Sequence, residues 1–106
     1  MKYSIREYVS DTGFHPYRAW LATLTPTVAA RIQARVFRFE CGNLGDYKSL
    51  GGGVFEARFR VGSGYRLYFA FEQSKCLLLL FGGDKRSQKH DIEIAKRYLG
   101  DFRRRL

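Results

Sequence analysis

Alternating arginines are the residues of this chain best suited to do chemistry. Arg58 and Arg60 share an alternation with Glu56, and Arg66 shares one with Tyr68. The intervening places are apolar: Phe55, Ala57, Phe59 and Val61, then Tyr65, Leu67, Phe69 and Phe71. Such a period of two is the mark of half-buried antiparallel strands, predicted over 54–61 and 65–71. Gly62-Ser63-Gly64 between them predicts a three-residue hairpin turn, because glycine accepts positive φ. Closure over that turn would pair Arg60 with Arg66, Arg58 with Tyr68 and Glu56 with Ala70, gathering a basic patch on one polar face. Like charges opposed across strands cost up to ~1 kcal/mol, so such a face is either an anion site or a solvated surface relieved by Glu56. As an anion site it suits phosphate. Guanidinium forks take two phosphate oxygens at once, and the ring of Tyr68 offers a stacking face to an unpaired base.

A second group follows at Gly82-Gly83-Asp84-Lys85-Arg86, where glycines would let a ligand approach the backbone ahead of a helix N-terminus that favours anions. An ordinary strand-to-helix turn reads the same way. His90 and Asp91 stand just inside that helix, and Lys48 lies on the segment before the hairpin. Neither a Ser/His/Asp set, a Cys/His set, a carboxylate pair nor a nucleotide-binding phosphate loop is legible. Cys41 and Cys76 have no His or second Cys at metal-ligand spacing, which leaves them as buried free thiols.

The elements that must hold these groups follow from periodicity and caps. Residues 2–8 alternate as a short strand near a sheet edge. Pro16 opens a short helix carrying Tyr17, Trp20 and Leu21, and Thr25-Pro26 opens another with Thr25 as N-cap. Val28, Ile32, Val36 and Phe39 mark the buried face of the second helix, Arg31, Arg35 and Arg38 a solvated stripe, and Gly42 its stop. Residues 42–53 read as a loop. Cys76 to Phe81 is apolar on both faces, as a central strand covered twice would be. From Ser87 a last helix carries Ile92, Ala95, Leu99 and Phe102 and ends in arginines.

With 106 residues, 45% of them hydrophobic, the chain reads as one domain over 1–106 with one real core. No apolar run approaches a membrane span, and Lys2-Tyr3-Ser4 opens no signal segment, so a soluble cytoplasmic protein is expected. Nineteen Lys and Arg against ten Asp and Glu give a net charge of +9, which points to a polyanion or an acidic protein partner. Residues 84–106 hold eight of those basic residues against four acidic ones, a local excess toward the C-terminus.

Three ordered motifs carry a family resemblance: Gly53-Val54-Phe55-Glu56-Ala57-Arg58-Phe59-Arg60, then Gly64-Tyr65-Arg66-Leu67-Tyr68, then Gly82-Gly83-Asp84-Lys85 with Gln88, Asp91, Ile92 and Ala95. The chain resembles the RelE/ParE toxin superfamily, in its phage-derived HigB-like host-killer branch. The resemblance implies an α+β fold, an antiparallel sheet of about four strands with an N-terminal helical hairpin and a C-terminal helix packed on it. It also implies the toxin half of a type II toxin–antitoxin pair, without a cofactor or metal. A small antitoxin, helix-turn-helix in many members, would neutralise it, and the net charge of +9 with the basic hairpin face leads us to expect that partner to be acidic at the contact. Many members are endoribonucleases that cleave mRNA on the ribosome; others bind DNA gyrase, and an inactive antitoxin-binding copy would look similar.

Carried over by position, Arg66 matches the arginine that stabilises transition-state charge, with Arg58, Lys85 and Glu56 at the other matching catalytic positions. The chemistry adds His90 beside Lys85 as a candidate proton donor to the 5′-oxygen and Glu56 as a candidate base. Glu56 stands in place of a lysine and Asp91 in place of a tyrosine. Lys48, Arg60, Tyr68, Arg86 and Asp91 complete the expected RNA-contacting set.

Overall fold

The sheet has five strands, one more than the sequence suggests, and it is mixed. In the computed structural model, which describes residues 2–106, the elements run β1 (Ser4–Glu7), α1 (Pro16–Ala22), α2 (Pro26–Glu40), β2 (Tyr47–Gly51), β3 (Val54–Arg58), β4 (Arg66–Glu72), β5 (Cys76–Gly83) and α3 (Gln88–Arg104). The strand order is β1-β5-β4-β3-β2. β1 lies parallel to β5, with Ser4 opposite Cys76, and every other neighbouring pair is antiparallel. The additional strand is β2, inside the segment read as a loop. It is an exposed edge strand closed onto β3 through Gly51, Gly52 and Gly53, all at positive φ. Tyr47, Lys48 and Ser49 are all exposed, and although the Tyr47 ring lies against Phe55, Phe69 and Phe71, the run shows no apolar alternation that would mark a strand.

Helices cover both faces of this sheet. On one side, Tyr17 of α1 and Ile32 and Phe39 of α2 pack on Leu67, Phe69, Leu77 and Leu79. On the other, Ala95 and Leu99 of α3 pack on Val54, Tyr68, Ala70, Leu78 and Leu80. The double covering explains the apolar run of β5, whose Leu77, Leu78, Leu79 and Leu80 are all buried. Thr25 caps α2 as expected, its hydroxyl accepting from the Val28 amide at 3.3 Å, with Pro26 in the first turn. α1 is a seven-residue element packed on β5, so the expected helical hairpin is one short helix followed by one long one.

The basic stripe of α2 is divided. Arg31 and Arg38 are exposed, but Arg35 is buried, its guanidinium over the Phe59 ring at 4.7 Å and donating to the carbonyls of Leu44, Asp46 and Arg58. It therefore pins the loop before β2 to the end of β3. Both cysteines are free as expected, but Cys41 is exposed and Cys76 half-buried. No helix among the described residues is long and apolar enough to cross a membrane.

Candidate functional site

The hairpin register differs from the expected one by two residues. Arg58 faces Arg66, Glu56 faces Tyr68, and Ala57 faces Leu67. β3 stops at Arg58 and β4 begins at Arg66, and the Phe59 amide still donates to the Tyr65 carbonyl at 2.9 Å, so the chain turns over residues 60–64. Two glycines make the difference. Gly62 and Gly64 take φ of 56° and 77°, and the Gly64 amide closes the turn on the Val61 carbonyl.

That register sets Arg58 and Arg66 opposite one another on neighbouring strands, and each guanidinium has its own carboxylate. Arg58 lies 3.4 Å from Asp46, which also holds Arg60 at 3.6 Å. Arg66 lies 3.3 Å from Oε1 of Glu56, and its Nη1 donates to the Gly64 carbonyl at 2.7 Å. Glu56 is wholly buried beneath the sheet. Gln88, in the first turn of α3, donates to its Oε1 at 2.7 Å, and Lys48 of β2 reaches its Oε2 at 3.7 Å. The guanidinium of Arg66 is thus fixed from two sides while its outer edge opens on a cleft of about 180 Å³, lined by Asp46, Arg58, Arg60, Gly64, Tyr65 and Lys85 among others. The loop and the turn before α3 are tied together there: the Lys85 amide donates to the Ser63 carbonyl at 3.5 Å.

Of the sequence candidates, Arg58, Arg60, Arg66 and Lys85 converge on this cleft. The others are placed differently. Tyr68, a stacking candidate in the sequence, is instead fully buried under α3, and its hydroxyl has no hydrogen-bond partner among the described residues. Burial, with the carboxylates of Asp91 and Glu56 nearby, pushes that phenol well up. Asp91 is likewise buried, accepting a hydrogen bond from the Ser87 hydroxyl; burial raises its carboxyl above the ordinary range. Neither can present a surface to RNA. Glu56, also buried, is a brace behind Arg66 rather than a carboxylate open to a reacting hydroxyl. His90 is exposed on α3 and is not among the cleft residues. Arg86 is exposed and paired with Asp84 at 3.4 Å.

Gly82-Gly83 is not a ligand cradle. A methyl group at Gly82 would lie 2.5 Å from the Trp20 indole, and one at Gly83 would collide with Asp91, so both glycines are packing contacts at the end of β5. Asp46 and Gln88 join the site although neither is among the sequence candidates, Gln88 standing only as a residue of the third motif. Asp46 is nonetheless the lone acidic residue in the segment 41–55, and that isolation was the available signal. Among the described residues no three His, Cys, Asp or Glu side chains group as metal ligands.

A family model described as phage-derived protein Gp49-like (DUF891) matches residues 19–99, which span α2, the whole hairpin and most of α3. The chain belongs to the Gp49-like family. This Gp49-like protein is 43% identical over 81 residues to an uncharacterized protein of Haemophilus influenzae, an alignment covering 76% of this chain and 82% of the relative. Among solved structures it is similar to a mutant of the E. coli toxin RelE in the free state, with a TM-score of 0.64 at 20% identity, covering 92% of this chain and 98% of that one. The likeness establishes a RelE-like α+β fold for the Gp49-like chain.

Proposed function

We propose that this Gp49-like protein is the toxin of a type II toxin–antitoxin pair and an endoribonuclease that cleaves mRNA on the ribosome. The RelE-like fold supports the toxin reading. The observation that carries the nuclease reading is the Arg66 guanidinium, held by Glu56 and the Gly64 carbonyl with its free edge in a cleft shared with Arg58, Arg60 and Lys85. Cleavage by attack of a 2′-hydroxyl on the adjacent phosphorus places extra negative charge on the phosphorane oxygens. A preorganised donor at that point is worth ~10²–10³ in rate. Arg66 fills that role, and Arg58 and Arg60 bind the phosphate. The 2′-hydroxyl loses its proton to water as a 2′,3′-cyclic phosphate forms, and the P–O5′ bond breaks with the 5′-oxygen taking a proton from Lys85. Glu56 acts through Arg66 by fixing its orientation.

The antitoxin in this reading is acidic where it meets the hairpin, because the chain carries +9 and the cleft is basic. Its association slows as ionic strength rises. The deciding experiment is induced expression without a partner, followed by transcript 5′-end mapping and a gyrase supercoiling assay on the same cells. New 5′ ends within translated messages with normal supercoiling support the reading. Intact transcripts with inhibited supercoiling replace it with a gyrase-directed toxin.

A further inference from the structure

Beside the Arg66 cleft a second, larger groove of about 450 Å³ runs between α2 and the hairpin tip. The two depressions share Asp46, Arg58 and Arg60, so they are continuous across the Asp46 carboxylate. The far wall is α2, which contributes Arg31 and Arg38, both exposed. Neither makes an ion pair with any described residue. Four arginines therefore line the solvent side of a groove that holds a single carboxylate.

The geometry at that carboxylate is informative. Oδ1 of Asp46 lies 3.4 Å from Arg58 and Oδ2 lies 3.6 Å from Arg60, so each oxygen serves a different guanidinium, as the two non-bridging oxygens of a phosphodiester would. Both ion pairs are substantially exposed, and such contacts exchange readily for another anion. The backbone beneath is held by separate hydrogen bonds. Buried Arg35 binds the carbonyls of Asp46 and Arg58 together, fixing the spacing of the two elements whatever occupies the side chains above.

We propose that this groove is a second phosphodiester subsite, in which the Asp46 carboxylate holds the place of a backbone phosphate and yields it when single-stranded RNA extends from the Arg66 cleft toward Arg31 and Arg38. The inference rests on the nuclease reading for the RNA in the cleft and adds the path of the flanking nucleotides. Asp46 is then an internal counter-ion that sets affinity, and the α2 arginines are contacts that only a longer strand reaches.

The test is binding of 2′-O-methyl oligoribonucleotides, whose blocked 2′-oxygens prevent cleavage, at lengths of about 3 and about 9 nucleotides over a range of salt. The double variant Arg31→Gln/Arg38→Gln is expected to weaken the longer oligonucleotide about tenfold and lower its salt slope by about 1.4, two phosphates at ~0.7 each, with the shorter one unaffected. Asp46→Asn is expected to tighten the longer one several-fold, a gain that misfolding cannot produce. Equal loss at both lengths, no loss at either, or unchanged affinity in Asp46→Asn overturns the subsite. Cleavage of ribosome-bound mRNA by the parent protein is measured in parallel. Length-dependent loss in a protein that leaves mRNA whole upholds the groove and removes the nuclease reading; cleavage without length dependence does the reverse.

Discussion

Arg66 and Glu56 meet at 3.3 Å across the floor of the hairpin, the carboxylate with no exposure and the guanidinium with 11%. An arginine so held spends little conformational entropy in gripping an anion, since its fork is already oriented. Arg66→Lys keeps the charge and loses the fork. Single-turnover cleavage of ribosome-bound mRNA at saturating protein should fall ~10²–10³-fold, with melting temperature and antitoxin affinity near the parental values.

Glu56→Gln should show the complementary pattern. It keeps an acceptor for Gln88 but leaves Arg66 without a counter-charge. Breaking a fully buried pair costs ~3–5 kcal/mol, and partial exposure of Arg66 to the cleft reduces this to about 2–3 kcal/mol. Denaturant unfolding measures that loss, and turnover at saturating substrate should fall less than in Arg66→Lys, because the guanidinium is misoriented rather than absent.

Asp91 offers a stabilising substitution. Burial raises its carboxyl above the ordinary ~3.9, so the ionised form is disfavoured in the fold and stability drops as pH climbs through that value. Asp91→Asn removes the penalty and keeps an acceptor for the Ser87 hydroxyl. Melting temperature at pH 7 should rise by a few degrees, ~4–8 °C for each 1 kcal/mol gained, and the advantage should shrink as pH falls toward 4.

The alkaline limb is set by buried phenols. Burial, aided by Asp101 at Tyr8 and by Glu7 at Tyr17, pushes both up to about 12, and Tyr68 is raised as well. A folded pKa above the unfolded value of ~10 stabilises fully below pH 10, and that stability is lost as pH rises toward 12. Phenolate absorbance from these three should appear together with loss of the helical circular dichroism. Tyr17→Phe should remove one chromophore from that late step.

Helices and the central strand were legible because their periods are unambiguous: Val28, Ile32, Val36 and Phe39 admit one reading, and so do four successive leucines in β5. The polar face of the hairpin was not. Alternation says which residues share a face, and it cannot say whether that face meets water or another helix. α3 covers part of it, so Glu56 and Tyr68 are core while Arg58 and Arg66, two places toward the loop, remain at the opening. The turn runs longer than Gly62-Ser63-Gly64 suggests because both glycines take positive φ within a loop that Gly64 closes on the Val61 carbonyl, and the pairing ends where the Phe59 amide meets the Tyr65 carbonyl. Arg35 looked like its neighbours Arg31 and Arg38 because a helical stripe conceals which member meets a loop from elsewhere in the chain.

The pairing of β1 with β5 sets an order of events during synthesis. Ser4 to Glu7 find their ladder partners only at Cys76 to Leu79, and Tyr8 is tied to Asp101 by a 2.6 Å hydrogen bond. A chain emerging N-terminus first must therefore hold its first strand unpaired until nearly all the rest has been made, and closing so long a loop is slow. Gln88, which braces Glu56, also arrives late, as does Lys85. A polypeptide interrupted before α3 has Glu56 and Gly64 to hold Arg66 but lacks the α3 side of the second core and Gln88, which braces Glu56, so the cleft is fully assembled only once α3 has been made.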